Sequence, residues 1–142
     1  MVAAVCFGAS PQMGTWKLNE AKSKIDPAMG KNNTVTYTEE KGDKIKVTVD
    51  GVDKDGKPRH SVWVGKFDGK AYPMKEKNMP VDAIAYKMVN DRTNEIRAMK
   101  NGKVVWSGTI TVSADSKSRT VNTSGTTEDG KKFKNKVVYD KQ

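Results

Sequence analysis

Cysteine occurs once, at Cys6, so the chain can form no intramolecular disulfide and no metal site built from cysteines. Histidine also occurs once, at His60, and a Ser-His-Asp relay would have to use it. Zinc asks for three or four nitrogen or sulfur ligands, which His60 and Cys6 cannot supply. No run of about 18 apolar residues is present, so no segment is long enough to span a membrane as a helix. Gly-rich phosphate loops, nucleophile elbows and zinc-helix motifs are missing too. The expectation is a chain with no metal, no cofactor and no built-in catalytic set; His60 is its one weak catalytic candidate.

At 142 residues the length fits one domain, and a domain of this size buries roughly two thirds of its unfolded surface without needing disulfides. The balance of 26 Lys and Arg against 17 Asp and Glu gives a formal charge of +9. Such a charge suits an anionic partner. The lysines, however, fall singly in turns (Lys41, Lys57, Lys70) and at alternate strand positions (Lys44, Lys46, Lys134, Lys136), as on a solvated face with guarded sheet edges. Nucleic-acid binding by such a surface would be electrostatic and nonspecific, so no specific nucleic-acid partner is expected.

The apolar stretch 1–10, ending in small residues, reads as the tail of a secretory signal and points to a periplasmic or secreted protein. We divide the chain into an N-terminal arm, 1–12, and a single domain, 13–142. After a first strand, Asn19 to Lys24 favours one or two helical turns, stopped by Asp26-Pro27. From Asn33 onward the period becomes two. Val35 and Tyr37 alternate with threonines, Ile45, Val47 and Val49 alternate with lysines and Thr48, and Asn101-Gly102 marks a tight hairpin. About nine strands are expected, with Asp68-Gly69-Lys70 as a turn and 73–80 as a Pro-bounded loop. Gly51 to Lys57 and Gly125 to Lys131 share Gly-x-x-x-Asp-Gly-Lys, which turn chemistry explains better than cation or phosphate binding. The fold class is all-β, a single antiparallel up-and-down barrel of about 8–10 strands with a short helical segment after the first strand.

Gly14-Thr15-Trp16 resembles the Gly-x-Trp opening of the calycin superfamily, the lipocalins and fatty-acid-binding proteins, here in a bacterial exported form. The resemblance implies a barrel plugged at one end by Gly14 and Trp16. It also implies a basic side chain packed on the indole, for which Arg119 and Lys136 are the candidates. Read by strand face, Ile84, Tyr86, Met88, Trp106, Ile110 and Val112 point inward with the aromatics Tyr37 and Trp63. Thr123 and Asn135 offer polar handles, and Gly65, Gly108 and Gly125 leave interior space. The expected ligand-binding set is Tyr37, Trp63, Ile84, Tyr86, Met88, Trp106, Ile110 and Asn135, around a small apolar or amphipathic molecule. The expected function is noncatalytic binding. The alternatives are a hydrolase-type barrel enzyme with His60 or a carboxylate in the lumen, and a basic surface module for polyanions. Oligomeric state is not legible in the sequence.

Overall fold

The computed structural model describes residues 10–77 and 79–142. The segment behind the export reading, including Cys6, lies almost wholly outside the described residues. Ten strands follow in order: β1 (Gly14–Leu18), β2 (Lys31–Glu40), β3 (Lys44–Val52), β4 (Pro58–Gly65), β5 (Asp68–Pro73), β6 (Ala83–Asn90), β7 (Thr93–Lys100), β8 (Lys103–Val112), β9 (Ser118–Thr126) and β10 (Lys132–Lys141). All belong to one antiparallel sheet in the order β4-β3-β2-β1-β10-β9-β8-β7-β6-β5. The first strand therefore pairs with the last, Trp16 opposite Lys141, and every other pairing joins neighbours in the chain.

The sheet wraps until its two edges meet, giving a nearly closed barrel. β4 and β5 share no ladder; a single bridge joins Trp63 to Met74, and the Lys75 N–H donates to the Val62 carbonyl at 3.1 Å. Side chains cover the rest of the seam. Glu76 accepts from the Val62 N–H at 2.8 Å, and the Trp63 indole N–H donates to the carbonyls of Tyr72 and Ile84 at 3.1 and 3.0 Å. An edge satisfied in this way does not offer a template to another chain.

Two elements differ from the expectation. The residues read as a turn at Asp68-Gly69-Lys70 begin β5, a strand whose only large inward side chain is Tyr72, so no alternation announced it. The helical segment shrinks to one 3-10 turn, Glu20–Lys22, capped where Asn19 Oδ1 accepts from the Lys22 N–H at 3.2 Å. The two Gly-x-x-x-Asp-Gly-Lys stretches are structurally the same turn, with Gly56 and Gly130 both at φ 81°. In each, the glycine N–H returns to the carbonyl three residues earlier at 3.0 Å. Asp53 Oδ1 accepts from the backbone N–H of Asp55 and Lys57, each at 2.9 Å, so that carboxylate serves the turn.

Alternation places Trp16, Val35, Tyr37, Val47, Trp63, Tyr86, Ile96, Ile110, Val112, Val137 and Tyr139 in one interior cluster. Trp16 has no exposed surface, as expected for a plug. Its indole N–H donates to the Gln12 carbonyl at 3.0 Å, and the Gln12 side chain donates to the Arg92 and Ile110 carbonyls at 3.3 Å each. Gln12, assigned to the arm on sequence grounds, thus forms part of the barrel's base. We call the Trp16 end the base and the opposite end, where the 3-10 turn lies, the mouth.

Candidate functional site

The interior changes character along its axis. Toward the base it is filled and dry, through Trp16, Ile96, Ile110, Val112 and Val137. Toward the mouth, inward side chains on several strands stay half-buried: Leu18, Asn32, Val49, Arg59, Ile84, Trp106 and Thr123. Their half-burial marks the mouth as the end of the interior that solvent reaches.

An aromatic group packs inside the barrel along the β4–β5 seam. Tyr37, Trp63 and Tyr86 converge with Phe67: Trp63 and Tyr86 lie 4.7 Å apart edge to face, Phe67 and Tyr86 5.3 Å, and Tyr37 and Tyr86 6.4 Å. Such contacts stabilise beyond area burial. Packed against Tyr37 sits Arg119, 3% exposed, its guanidinium carbon 5.3 Å from the Trp16 ring centroid, 5.0 Å from Tyr37 and 4.6 Å from Tyr139. Its Nη1 donates to the Tyr37 hydroxyl at 2.8 Å, while its Nε has no partner among the described residues. Of the two basic candidates, Arg119 packs on the indole and Lys136 does not; Lys136 is exposed on the outer face. A second cation joins it. Lys141 Nζ lies 4.7 Å from the Trp16 ring and donates to the Met13 carbonyl at 2.5 Å. Gly14, at φ 109°, makes room: a Cβ there would lie 3.0 Å from Lys141 Nζ and closer still to its stem.

Nearer the mouth Arg59 also points inward, donating to Asn32 Oδ1 at 3.2 Å. Burial pulls its pKa below the ordinary arginine value, against the opposing pull of Asp53 and Tyr139. None of the buried residues is Asp or Glu, and neither arginine forms an ion pair among the described residues. Two inward guanidinium groups therefore sit in a largely apolar interior without a buried carboxylate, where unpaired charge is costly.

Burial also raises the phenols, Tyr86 strongly and Tyr139 less, with Arg119 opposing in both cases. Below the ordinary tyrosine pKa of 10.0 both folded and unfolded chains keep these protons, and the full stability is present. Above it the unfolded chain releases them first, so stability falls as pH rises through the alkaline range. The expected result is that Tyr86→Phe flattens this alkaline loss, measured as urea midpoints at rising pH. An unchanged slope in that variant would reject the assignment.

The structure sorts the expected ligand residues. Tyr37, Trp63, Tyr86 and Ile110 are buried in the packed centre, and Ile84 and Trp106 are half-buried toward the mouth. Asn135 is inward and buried, but its Oδ1 already accepts from the Asp26 N–H at 2.7 Å, holding the mouth loop. Met88 is corrected: it is 44% exposed, because β5 pairs no further along β6 than Lys87 and leaves Met88 with a strand on one side only. The glycines are corrected as well. A Cβ at Gly65 would lie 2.5 Å from the Tyr72 ring, at Gly125 2.5 Å from Trp106 Cα, and at Gly108 2.8 Å from Thr123 Cα. They admit rings and strands at close range instead of leaving a void. His60 faces outward, its Nδ1 2.6 Å from Asp50 Oδ1 across the β3–β4 pair, which removes it from the lumen. Arg59 and Asn32 were missed, although Arg59 shares strand parity with Ser61 and Trp63.

Two hollows flank the mouth. One, of about 220 Å³, lies between Ile25–Lys31 and the β3–β4 turn. The other, of about 340 Å³, is bordered by Asn33, Asp50, Gly51, Pro58, Arg59 and His60. Lys54 and Asp129, one on each of the matching turns, approach to 3.5 Å at this rim.

The fold is a ten-stranded up-and-down β-barrel, nearly closed, with a buried indole packed against a guanidinium toward its base. One solved structure agrees at the level of the fold, and a second is similar. A point variant of the fluorescent protein UnaG superposes with a TM-score of 0.59 at 14% identity, covering 92% of this chain and 95% of that one. A redesigned β-barrel, mFAP1, bound to DFHBI, has a TM-score of 0.48 at 16% identity, with 93% and 98% covered. No protein-family model matches the chain, and no curated protein matches it in sequence.

Proposed function

We propose that the protein binds, without catalysis, a small amphipathic molecule bearing an anionic or strongly hydrogen-bond-accepting group, in the mouth half of its barrel. The observation that carries this reading is the pair of inward arginines, Arg59 and Arg119, with no buried carboxylate beside them. Desolvating a guanidinium costs several kcal/mol, which Arg119 meets with no carboxylate beside it and Arg59 with only the half-buried Asp53 near it, a cost that an anionic guest would offset. Trp106, Ile84 and Leu18 supply the apolar contact such a guest needs. The apolar opening stretch supports export as part of the same proposal.

An anionic fluorescent amphiphile, anilinonaphthalene sulfonate, tests the reading against its uncharged parent amine. The sulfonate is expected to bind in a one-to-one complex with enhanced emission and the amine much more weakly. Arg59→Met is expected to reduce sulfonate affinity by about tenfold or more, the scale of one truncated charge contact. Equal affinity for the two probes, or an Arg59→Met variant that binds as well as the parent, would overturn the anionic part of the proposal.

A further inference from the structure

The outer wall carries a feature that the interior reading does not use. Lys132, Lys134 and Lys136 alternate along β10 opposite the inward Phe133, Asn135 and Val137, and all three are exposed. Successive ammonium groups on one strand face stand about 7 Å apart, two residues of strand rise. Beyond the end of β1 the chain keeps pairing with β10 through Lys24, whose N–H donates to the Lys136 carbonyl at 2.7 Å and whose carbonyl accepts from the Lys136 N–H at 2.9 Å. Two lysines thus stand directly opposite each other on one face, a like-charge pair that destabilises a sheet. Lys22 lies on the adjoining 3-10 turn. None of the five forms an ion pair among the described residues. Acids stand around the row: Glu20 on the 3-10 turn, paired with Lys31; Asp26, whose N–H donates to Asn135 of β10; Asp129 in the mouth turn, engaged by Lys54; and Asp140 at the base side, accepting from the Asn19 amide at 3.0 Å.

The wall beside this row is neutral and rich in hydroxyl groups. Thr126, Ser124 and Asn122 of β9 stand opposite Lys132, Lys134 and Lys136, and Ser107 and Thr109 of β8 continue two of these rows.

We propose that this wall, the lysine row of β10 with Lys22 and Lys24 beside the hydroxyl rows of β8 and β9, binds a linear sulfated polysaccharide. The straight row of point charges matches a chain carrying an anion at regular intervals, and the neighbouring hydroxyl and amide groups can hydrogen-bond sugar oxygens. A nucleic acid fits less well. The outer positions of β8, β9 and β10 carry no aromatic side chain on which a base could stack. The row also contains no arginine for bidentate phosphate contacts. This site lies on the outside of the barrel and is independent of the ligand proposed for its interior.

The test is direct binding of a heparin octasaccharide to the full chain across a salt series, with oligothymidylate and phosphatidylserine vesicles as comparison probes. The triple variant Lys132→Gln, Lys134→Gln, Lys136→Gln is expected to weaken octasaccharide binding by about tenfold or more and to flatten its salt dependence, by the counterion-release argument. A charge-matched control on other strands, Lys44→Gln, Lys46→Gln, Lys70→Gln, is expected to stay within about twofold, because those lysines lie outside the row. Lys22→Gln with Lys24→Gln, outside the barrel strands, carries the same test should the triple variant fail to fold. Equal losses in the row and control variants, no binding by the parent, or tighter binding of oligothymidylate or vesicles than of the octasaccharide would each overturn the proposal.

Discussion

Trp16→Ala will unfold at a markedly lower urea concentration than the parent, with an expected loss of about 4 kcal/mol, the scale of a large buried aromatic cut to a methyl group. The indole has no exposed surface, so its entire volume becomes a void under the base. Three further contacts disappear with it: its hydrogen bond to the Gln12 carbonyl, the face beneath Arg119, and the face beneath Lys141. Both cations would then be left over a cavity instead of a π-surface, which adds to the transfer and void terms. Domains of this size are commonly stable by only about 5–15 kcal/mol, so the variant should be marginal or partly unfolded at room temperature. Trp16→Phe keeps most of the volume and a ring face and should lose about half as much or less. A Trp16→Ala variant within about 1 kcal/mol of the parent would show that the base is sealed by something other than the indole.

Arg119→Met is expected to do the reverse: to leave stability unchanged or raise it, while abolishing tight binding of an anionic guest. The guanidinium gains about 0.5–2 kcal/mol from each of the three rings it touches and about 1 kcal/mol from its single neutral hydrogen bond, a sum of the same order as its desolvation. Against this stand several kcal/mol of desolvation, together with an Nε that has no acceptor among the described residues. Methionine fills a comparable volume and makes favourable sulfur contacts with the same Trp16, Tyr37 and Tyr139 rings. Loss of the cation should weaken sulfonate binding by about thirtyfold or more if Arg119 senses the guest's charge. Urea unfolding and probe titration on the same preparation read both effects. A variant destabilised by more than about 2 kcal/mol would identify Arg119 as a structural clamp between three rings, leaving Arg59 as the sole candidate for the guest's charge.

The parts of this structure that were readable in the chain are those in which local and long-range physics agree. Val35 and Tyr37, or Ile45, Val47 and Val49, alternate with polar residues because one sheet face is dry, and the turn residues between such runs set the register. Trp16 was readable as an interior aromatic of the first strand through the resemblance of Gly14-Thr15-Trp16 to the Gly-x-Trp opening, and it is fully buried. β5 was not, since six residues beginning Asp-Gly and ending in Pro carry the chemistry of a turn, and only its pairing with β6 makes them a strand. Met88 shows the limit of alternation: parity assigns it to the inner face, but whether that face is covered depends on where the next strand stops. The interior glycines show the same limit for volume, because a missing side chain is visible in the sequence and the ring that moves into its place is not. The meeting of Arg119 with residues from β1, β2 and β10 was open only as one of two candidates, since it depends on contacts up to 103 positions apart in the chain, from Trp16 to Arg119.

The pairing of β1 with β10 has a consequence for how the molecule is made. Every strand has a chain neighbour to pair with, apart from the seam at β4 and β5, so β1–β4 and β5–β10 can each form by local zipping. Only the pairing of β1 with β10 joins the two, and until it forms the chain is two open curved ribbons with the indole and the future interior facing water. Almost all of the loop-closure entropy is paid in that one step. For a chain of this topology, the interval before β1 meets β10 is when chaperone protection matters most.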